Sequence, residues 1–470
     1  MTNTVKSKSL EIDDPYALDP EDVQEPPTTF TGRVRRLGPG MILSAAVVGS
    51  GELILTTSLG ARAGFILLWL IIIATTVKVW VQMELARLSI LSGKPALELF
   101  SAVAPTTRRG GWINYLWIGM DFTKMLQRGG IIGGAAAACS ILLPLVGEPL
   151  SRASLTAWTV LIVVSTVALL QTGKYSMIER LAVASVACFT LITVALALSL
   201  PFTDFGWTGA DLATGMSFTI PAAFIGISVA MFGLTGVGAD EMTTYTYWCI
   251  EKGYARWTGP DDGSEQRAHR ASGWLRVMRM DVAVSWLVCT LCTLAFYVIG
   301  ASVLHPQGLV PAGNEVITTL SRMYTDTLGP WAEVVFLLGA IAVLWSTLIG
   351  SVASVPRLWT HTLGILGLVD WSDPAARRRW IRILTFVFPP MWAVFYLFVQ
   401  SPVLMVQIGG IGSGIFLVAI VIAVWKLRAA ETTKRHRPHP AVTGALVISS
   451  VSIMVLGIYS VLQVFGIEVS

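Results

Sequence analysis

Long apolar stretches alternate with short polar segments along most of the chain. An α-helix needs about 18 to 25 apolar residues to cross the hydrocarbon core of a bilayer, and eleven stretches are long enough. The pattern predicts an all-α polytopic membrane protein with eleven transmembrane spans, which we number 1 to 11 in chain order. The spans lie near residues 38–60, 63–90, 112–143, 155–172, 178–200, 217–248, 279–303, 331–354, 380–399, 402–427 and 441–465.

The composition agrees with this class of protein. Of the 470 residues, 54% are hydrophobic and 13% are charged, whereas soluble domains average about 25% charged residues. The lipid bilayer is therefore an expected partner, and the formal net charge of +4 gives no indication of nucleic-acid binding. Residues 1–30 are polar and acidic and lack the pattern of a signal peptide. We expect a disordered cytosolic tail there, followed by one transmembrane domain over residues 31–470.

Basic residues are distributed unevenly between the loops. Arg33, Arg35 and Arg36 precede span 1, and most other loop Lys and Arg residues lie on the same side of the predicted bundle. The opposite loops hold few basic residues. Because cytosolic loops are enriched in Lys and Arg, the pattern predicts a plasma-membrane protein with a cytosolic N-terminus and, after eleven spans, an outside C-terminus.

Spans 1 and 6 share an unusual feature, which is a group of small residues followed by carboxylates in mid-membrane. Glycines weaken a helix there and expose backbone polar groups, so we expect both helices to be interrupted. Interrupted spans in corresponding halves point to a transporter binding site. The halves would be residues 38–200 and 217–427, related as inverted repeats, with span 11 (441–465) extra. The predicted site residues are Gly49, Ser50, Gly51, Glu52, Val237, Gly238, Asp240 and Glu241.

These glycines also have a purely structural interpretation, because small residues allow close packing of transmembrane helices. The carboxylates favour the functional interpretation. Glu52, Asp240 and Glu241 each cost several kcal/mol in a bilayer unless they are paired or hydrated.

At these positions the sequence resembles the Nramp family of divalent-metal transporters. The resemblance implies a LeuT-type fold of five plus five inverted helices with one extra, used in alternating access. It also places Gln407 in span 10 where the family often has a site-lining glutamine. The matching residues are Gly38-Pro39-Gly40, Ala63-Gly64-Phe65, Leu67-Leu68-Trp69, Gly133-Gly134, Lys174-Tyr175, Glu179-Arg180 and Gly329-Pro330-Trp331-Ala332.

The sequence departs from the family at its metal-binding motifs. The family's Asp-Pro-Gly-Asn in span 1 is replaced by residues 49–52, Gly-Ser-Gly-Glu, and its Met-Pro-His in span 6 by residues 240–242, Asp-Glu-Met. The acidic residues of the family's proton route in span 3 correspond to Gln127 and Gly130. The chain is therefore expected to be a divergent relative.

Carboxylates facing each other across broken helices suit a hard divalent cation of the Mg²⁺ or Mn²⁺ type. In this hypothesis Glu52 and Asp240 bind the metal. Carbonyl groups near Gly49 and Val237 or Gly238 complete the shell, with Gln407 opposite.

Basic residues within the membrane complicate this hypothesis. Asp121, Lys124 and Arg128 share one face of span 3 at i, i+3 and i+7, together with Gln127, and Lys78 lies in span 2. These groups predict charge relay or ion pairing with the acidic residues. Contacts from Lys124 and Arg128 to Asp240 would favour an organic substrate or purely structural pairing.

Three functions therefore stay open from the sequence. The first is secondary transport of a hard divalent cation, with H⁺ or Na⁺ as a possible coupling ion. The second is transport of a small organic zwitterion such as an amino acid, whose carboxylate would meet backbone N–H groups of the broken helix. The third is a non-transporting receptor that kept the fold. The sequence has no nucleotide-binding or catalytic motif, so we expect neither an enzyme nor a bound cofactor.

Overall fold

Helices occupy all eleven predicted spans in the computed structural model, which describes residues 14–171, 175–431 and 434–464. Ten helices of the described residues are long and apolar enough to cross a membrane. Span 1 is the remaining one and is a mixed helix over residues 39–63. The prediction of an all-helical polytopic protein is confirmed. The family-like Lys174 lies outside the described residues, as do the side chains of Ser50, Tyr175, Glu179 and Arg180.

The helix bounds fall close to the predicted ones. Spans 2 to 5 are Leu68–Ser92, Trp112–Leu142, Arg152–Gln171 and Tyr175–Ser199, and spans 7 to 11 are Glu265–Leu304, Ala332–Ile365, Pro374–Val399, Pro402–Ala430 and Pro440–Val464. Shorter α-helices in the loops are Phe30–Val34, Ala96–Ser101, Gly209–Thr214, Tyr254–Thr258 and Val316–Leu328. A two-residue hairpin pairs Thr106–Thr107 antiparallel with Gly110–Gly111.

Span 1 is widened and not interrupted, which corrects the sequence-based expectation. Its α-helix Pro39–Val47 passes into a π-helix, Val48–Thr56, and then into the α-helix Thr57–Ala63. The hydroxyl of Thr56 donates to the Gly51 carbonyl over 3.0 Å. The π-helical turn thus keeps the backbone polar groups paired within the helix, and span 1 stays helical through its small residues.

Span 6 is broken, as predicted. Its first half, Ile225–Leu234, and its second half, Ala239–Lys252, are joined by four non-helical residues. Gly236 has φ +69° in this segment, a conformation that glycine adopts without strain. The break leaves N–H and C=O groups without helical partners inside the protein.

Three side chains from other spans satisfy the polar groups at this break. Glu52 accepts a hydrogen bond from the Gly236 N–H over 3.1 Å. Lys78 donates to the carbonyls of Phe232, over 2.7 Å, and Thr235. A fully buried serine of span 10, Ser413, accepts from the Ala239 N–H over 3.0 Å and donates to the Gly233 carbonyl over 2.8 Å. Spans 1, 2 and 10 thereby hold the two half-helices in register.

Glycines let span 10 approach the first half of span 6 very closely. A Cβ atom on Gly233 would overlap the backbone carbonyl oxygen of Gly410. A Cβ atom on Gly410 would in turn overlap the carbonyl oxygen of Ala230. Backbone atoms leave no room for a side chain at this crossing, so its glycines are required for packing.

Residues 14–29, predicted from the sequence to belong to a disordered tail, include side chains that contact the transmembrane domain. Asp14 pairs with Arg377 at the start of span 9 over 2.5 Å. The hydroxyl of Tyr16 donates to Glu251 at the end of span 6 over 2.7 Å. Polar residues were expected to stay in solvent, but here they find charged partners on two spans and fold against them.

We predict that Gly233→Ala destabilises the protein by about 1–3 kcal/mol, because the added methyl group collides with backbone atoms of span 10. Thermal unfolding of the purified protein in detergent measures the change. Gly119→Ala is the control, since a Cβ there meets no atom within 4 Å. A Gly233→Ala protein as stable as Gly119→Ala would contradict the packing role.

Lys78→Met tests the side chains that hold the break. The substitution leaves buried carbonyl groups without a donor, and we expect a loss of about 1–3 kcal/mol in unfolding free energy. Lys94→Met is the matched control, because Lys94 forms an exposed pair with Glu98 and such pairs contribute about 0–1 kcal/mol. Equal losses in the two variants would show that Lys78 does not support the break.

Candidate substrate-binding cavity

The second half of span 6 begins with two carboxylates. Asp240 and Glu241 lie in the first turn of the helix Ala239–Lys252. The exposed N–H groups and the helix dipole favour negative charge at this position. The break in span 6 therefore creates the helix N-terminus that positions both acidic side chains.

Both carboxylates line a cavity between spans 1, 3, 6 and 8. The cavity has a volume of about 50 Å³. A single water needs roughly 10–15 Å³ on this measure, so the space accommodates an ion or a few waters. Its polar lining residues are Asp121, Lys124, Gln127, Arg128, Asp240, Glu241, Thr244, Thr347, Ser351 and Ser354.

A lysine of span 3 neutralises much of the charge of these carboxylates. Lys124 Nζ lies 2.5 Å from Asp240 Oδ1 and 3.9 Å from Glu241 Oε1. The Lys124 side chain is 1% exposed, whereas those of Asp240 and Glu241 are 17% and 19% exposed. The ammonium group is thus more deeply buried than the two acidic side chains, which stay partly accessible.

Arg128 forms a second set of contacts one helical turn away. Its guanidinium lies 2.7 Å from Asp121 and 3.6 Å from Asp240. The indole N–H of Trp359 donates to the other oxygen of Asp121 over 2.6 Å. The ring of Trp392 lies against the guanidinium at 5.3 Å from its centroid. Both oxygens of Asp121 therefore have partners, Arg128 and Trp359, whereas Asp240 lies near two cations, Lys124 and Arg128.

The cavity holds three carboxylates and two cations, a net charge of −1 if all are ionised. The described residues contain no group of three or more His, Cys, Asp or Glu side chains arranged to hold a metal ion. Any divalent ion in the cavity would thus need waters and neutral oxygen atoms to complete its shell.

Half of the predicted site residues meet at this cavity. Gly51, Asp121, Lys124, Gln127, Arg128, Asp240 and Glu241 line it. Gly49, Glu52, Val237, Gly238, Gln407 and Lys78 do not. Lys124 and Arg128 both contact Asp240, which is the arrangement that the sequence analysis associates with an organic substrate or with structural pairing.

Glu52 and Gln407 differ most from their expected positions. Glu52 is fully buried, and its carboxylate accepts from Gly236 and from the Thr56 hydroxyl, so it faces the break itself. Gln407 lies beside Gly226, at the start of the first half of span 6. The π turn of span 1 explains the first difference, because it directs Glu52 across to the freed N–H group.

Sequence reasoning missed Ser413 and Trp359. Ser413 lies among the span 10 glycines, Gly412-Ser413-Gly414, a pattern that indicates close packing but not a hydrogen-bonding role. Trp359 contacts Asp121 across 238 residues of sequence. No local sequence pattern predicts either contact, since each depends on how helices distant in sequence pack together.

Comparisons with known proteins agree with this architecture. A family model described as Nramp, natural resistance-associated macrophage protein-like, matches residues 40–463. The divalent metal cation transporter MntH of Acidiphilium cryptum is 26% identical over 443 residues, which cover 92% of this chain and 91% of that protein. MntH of Mycobacterium tuberculosis is 25% identical over 362 residues, covering 75% and 76% of the two chains.

Solved structures show the same fold. A mutant of the Eremococcus coleocola manganese transporter superposes with a TM-score of 0.64 at 15% identity, covering 95% of this chain and 91% of that one. MhsT in complex with L-phenylalanine superposes with a TM-score of 0.51 at 15% identity, covering 93% and 100%. The fold is thus the LeuT type, as the resemblance implied. With nearly the full transmembrane region matched by the family model, this multi-pass membrane protein belongs to the Nramp family.

Proposed function

We propose that this protein is a secondary transporter that binds a hard divalent metal cation at Asp240 and Glu241 and moves it by alternating access. Family membership and the similarity to two divalent metal cation transporters support the substrate class. The coupling ion, H⁺ or Na⁺, stays a prediction of the sequence.

The observation that carries the proposal is the small, oxygen-rich cavity at the start of the second half of span 6. Its volume of about 50 Å³ suits an ion with a few waters. Carboxylate, hydroxyl and amide oxygens are available in its lining, and sulfur is absent from the described lining residues. Oxygen ligands favour Mg²⁺ or Mn²⁺ over softer metals.

Lys124 takes a specific role in this proposal. Its ammonium group lies against Asp240, where a substrate cation would also be attracted, so it serves as the resident counter-ion of this carboxylate. A divalent ion would displace it from Asp240 and bind with retained waters. Glu52 then acts indirectly, by fixing the backbone of Gly236 next to the site.

A second candidate is transport of a small organic zwitterion. The specific observation in its favour is that Lys124 and Arg128 both lie within 4 Å of Asp240. A substrate carboxylate would bind these cations and its amine would bind Asp240. The cavity would have to open to admit a molecule of that size.

Lys124→Gln separates the two candidates. Removing the Lys124 ammonium group leaves Arg128 as the one ion-pair partner of Asp240 among the described residues. The two carboxylates then attract a divalent ion more strongly, and we expect Mn²⁺ or Mg²⁺ to bind about tenfold more tightly. For a zwitterion, the same substitution removes the partner of its carboxylate and weakens binding. Calorimetry on purified protein, with both metals and a panel of amino acids, measures the sign of the change.

Two further variants complete the experiment. Asp240→Asn is expected to abolish metal binding and metal uptake into liposomes, and Lys94→Gln, an exposed lysine outside the cavity, should leave both unchanged. Binding of an amino acid by the wild type that Lys124→Gln abolishes, with no response to either metal, would replace the first candidate by the second. A wild type that binds no member of the panel and transports neither metal would overturn both.

A further inference from the structure

A separate cavity of about 220 Å³ opens between spans 2, 7, 10 and 11. All four spans present there the ends that the charge pattern predicts to be cytosolic. The cavity combines charged and apolar walls and lies away from the substrate cavity. Its lining is formed by Trp80, Met83, Glu84, Arg87, Arg279, Arg428, Pro438, Val442 and Leu446.

Two of its arginines are already engaged. Arg87 binds Glu84 over 2.7 Å and Glu431 over 2.7 Å, donating to them from two edges of its guanidinium. Arg428 donates to Glu84 over 2.9 Å and to the hydroxyl of Thr443 over 2.8 Å. These contacts fix the back of the cavity and hold spans 2, 10 and 11 together.

Arg279 is different, because it has no ion-pair partner among the residues that the structure describes. It is exposed at the cavity, so its guanidinium is available to a ligand. Arg437 joins the cluster through Glu431 at 3.8 Å. The cavity lining and the adjoining Glu431 and Arg437 together hold four arginines and two carboxylates, an excess of two positive charges if all are ionised.

The cavity also has apolar walls, contributed by two spans. Val442 and Leu446 of span 11 line it. Trp80 and Met83 of span 2 line it as well. A ligand with a negatively charged head and apolar chains therefore meets both basic and apolar side chains in the same cavity.

We propose that this cavity binds the phosphate of an anionic phospholipid, with Arg279 as the principal phosphate ligand and span 11 against the acyl chains. Basic pockets between transmembrane helices at the cytosolic side attract anionic headgroups. Guanidinium groups bind phosphate oxygens through paired, charge-assisted hydrogen bonds. The inference is independent of the substrate, since the two cavities share no lining residue.

Thermal unfolding in phosphatidylcholine nanodiscs with increasing fractions of phosphatidylglycerol tests the proposal. We expect phosphatidylglycerol to raise the unfolding temperature of the wild type, and Arg279→Gln to weaken this response about tenfold in lipid fraction. Arg378→Gln is the matched control, because it removes an exposed arginine at the same end of the bundle, outside the cavity. Unfolding in phosphatidylcholine alone checks that each variant is folded.

Two outcomes would overturn the proposal. Equal responses of Arg279→Gln and Arg378→Gln would mean that phosphatidylglycerol acts through general surface charge. A stabilisation by inorganic phosphate as large as that by phosphatidylglycerol, and lost in Arg279→Gln, would assign the cavity to a free phosphate instead of a lipid.

Discussion

The break in span 6 is the constraint on which the rest of the structure depends. Inside a membrane protein, freed N–H and C=O groups must find partners in the protein or in water. Here Glu52 accepts from Gly236, Lys78 donates to carbonyls of the first half-helix, and Ser413 bonds to both halves. Glu52 of span 1 and Lys78 of span 2, two buried groups of opposite charge type, thus stabilise the non-helical segment in the middle of span 6.

The candidate substrate-binding cavity follows from this arrangement. Once the second half of span 6 begins at Ala239, its first turn carries Asp240 and Glu241 at a helix N-terminus that favours negative charge. Span 3 packs beside that turn and supplies Lys124 and Arg128 from one face. The acids therefore belong to a helix that is broken, and the cations to a helix that is continuous.

Most of the fold was predictable because hydrophobic length determines where helices cross a bilayer. The break in span 6 also had a local cause, the glycines at 236 and 238, whereas the similar glycines of span 1 produced a π turn. The two spans differ in where their backbone groups find hydrogen-bond partners. In span 1, hydroxyl groups of the same helix, such as that of Thr56, donate to its carbonyls. The position of Glu52 and the role of Ser413 depend on contacts across more than 170 residues of sequence, and no local pattern reports these.

The charge balance of the cavity links the proposed substrate to motion. The contact between Lys124 and Asp240 joins span 3 to span 6. A ligand shifts a conformational equilibrium only through a difference in its interactions with the two states. A cation that took the place of Lys124 at Asp240 would remove this ion pair between spans 3 and 6 and replace it with contacts to oxygen atoms in the cavity lining. Substrate binding would then change how strongly the broken helix is held against the continuous one, which is the kind of difference that alternating access requires.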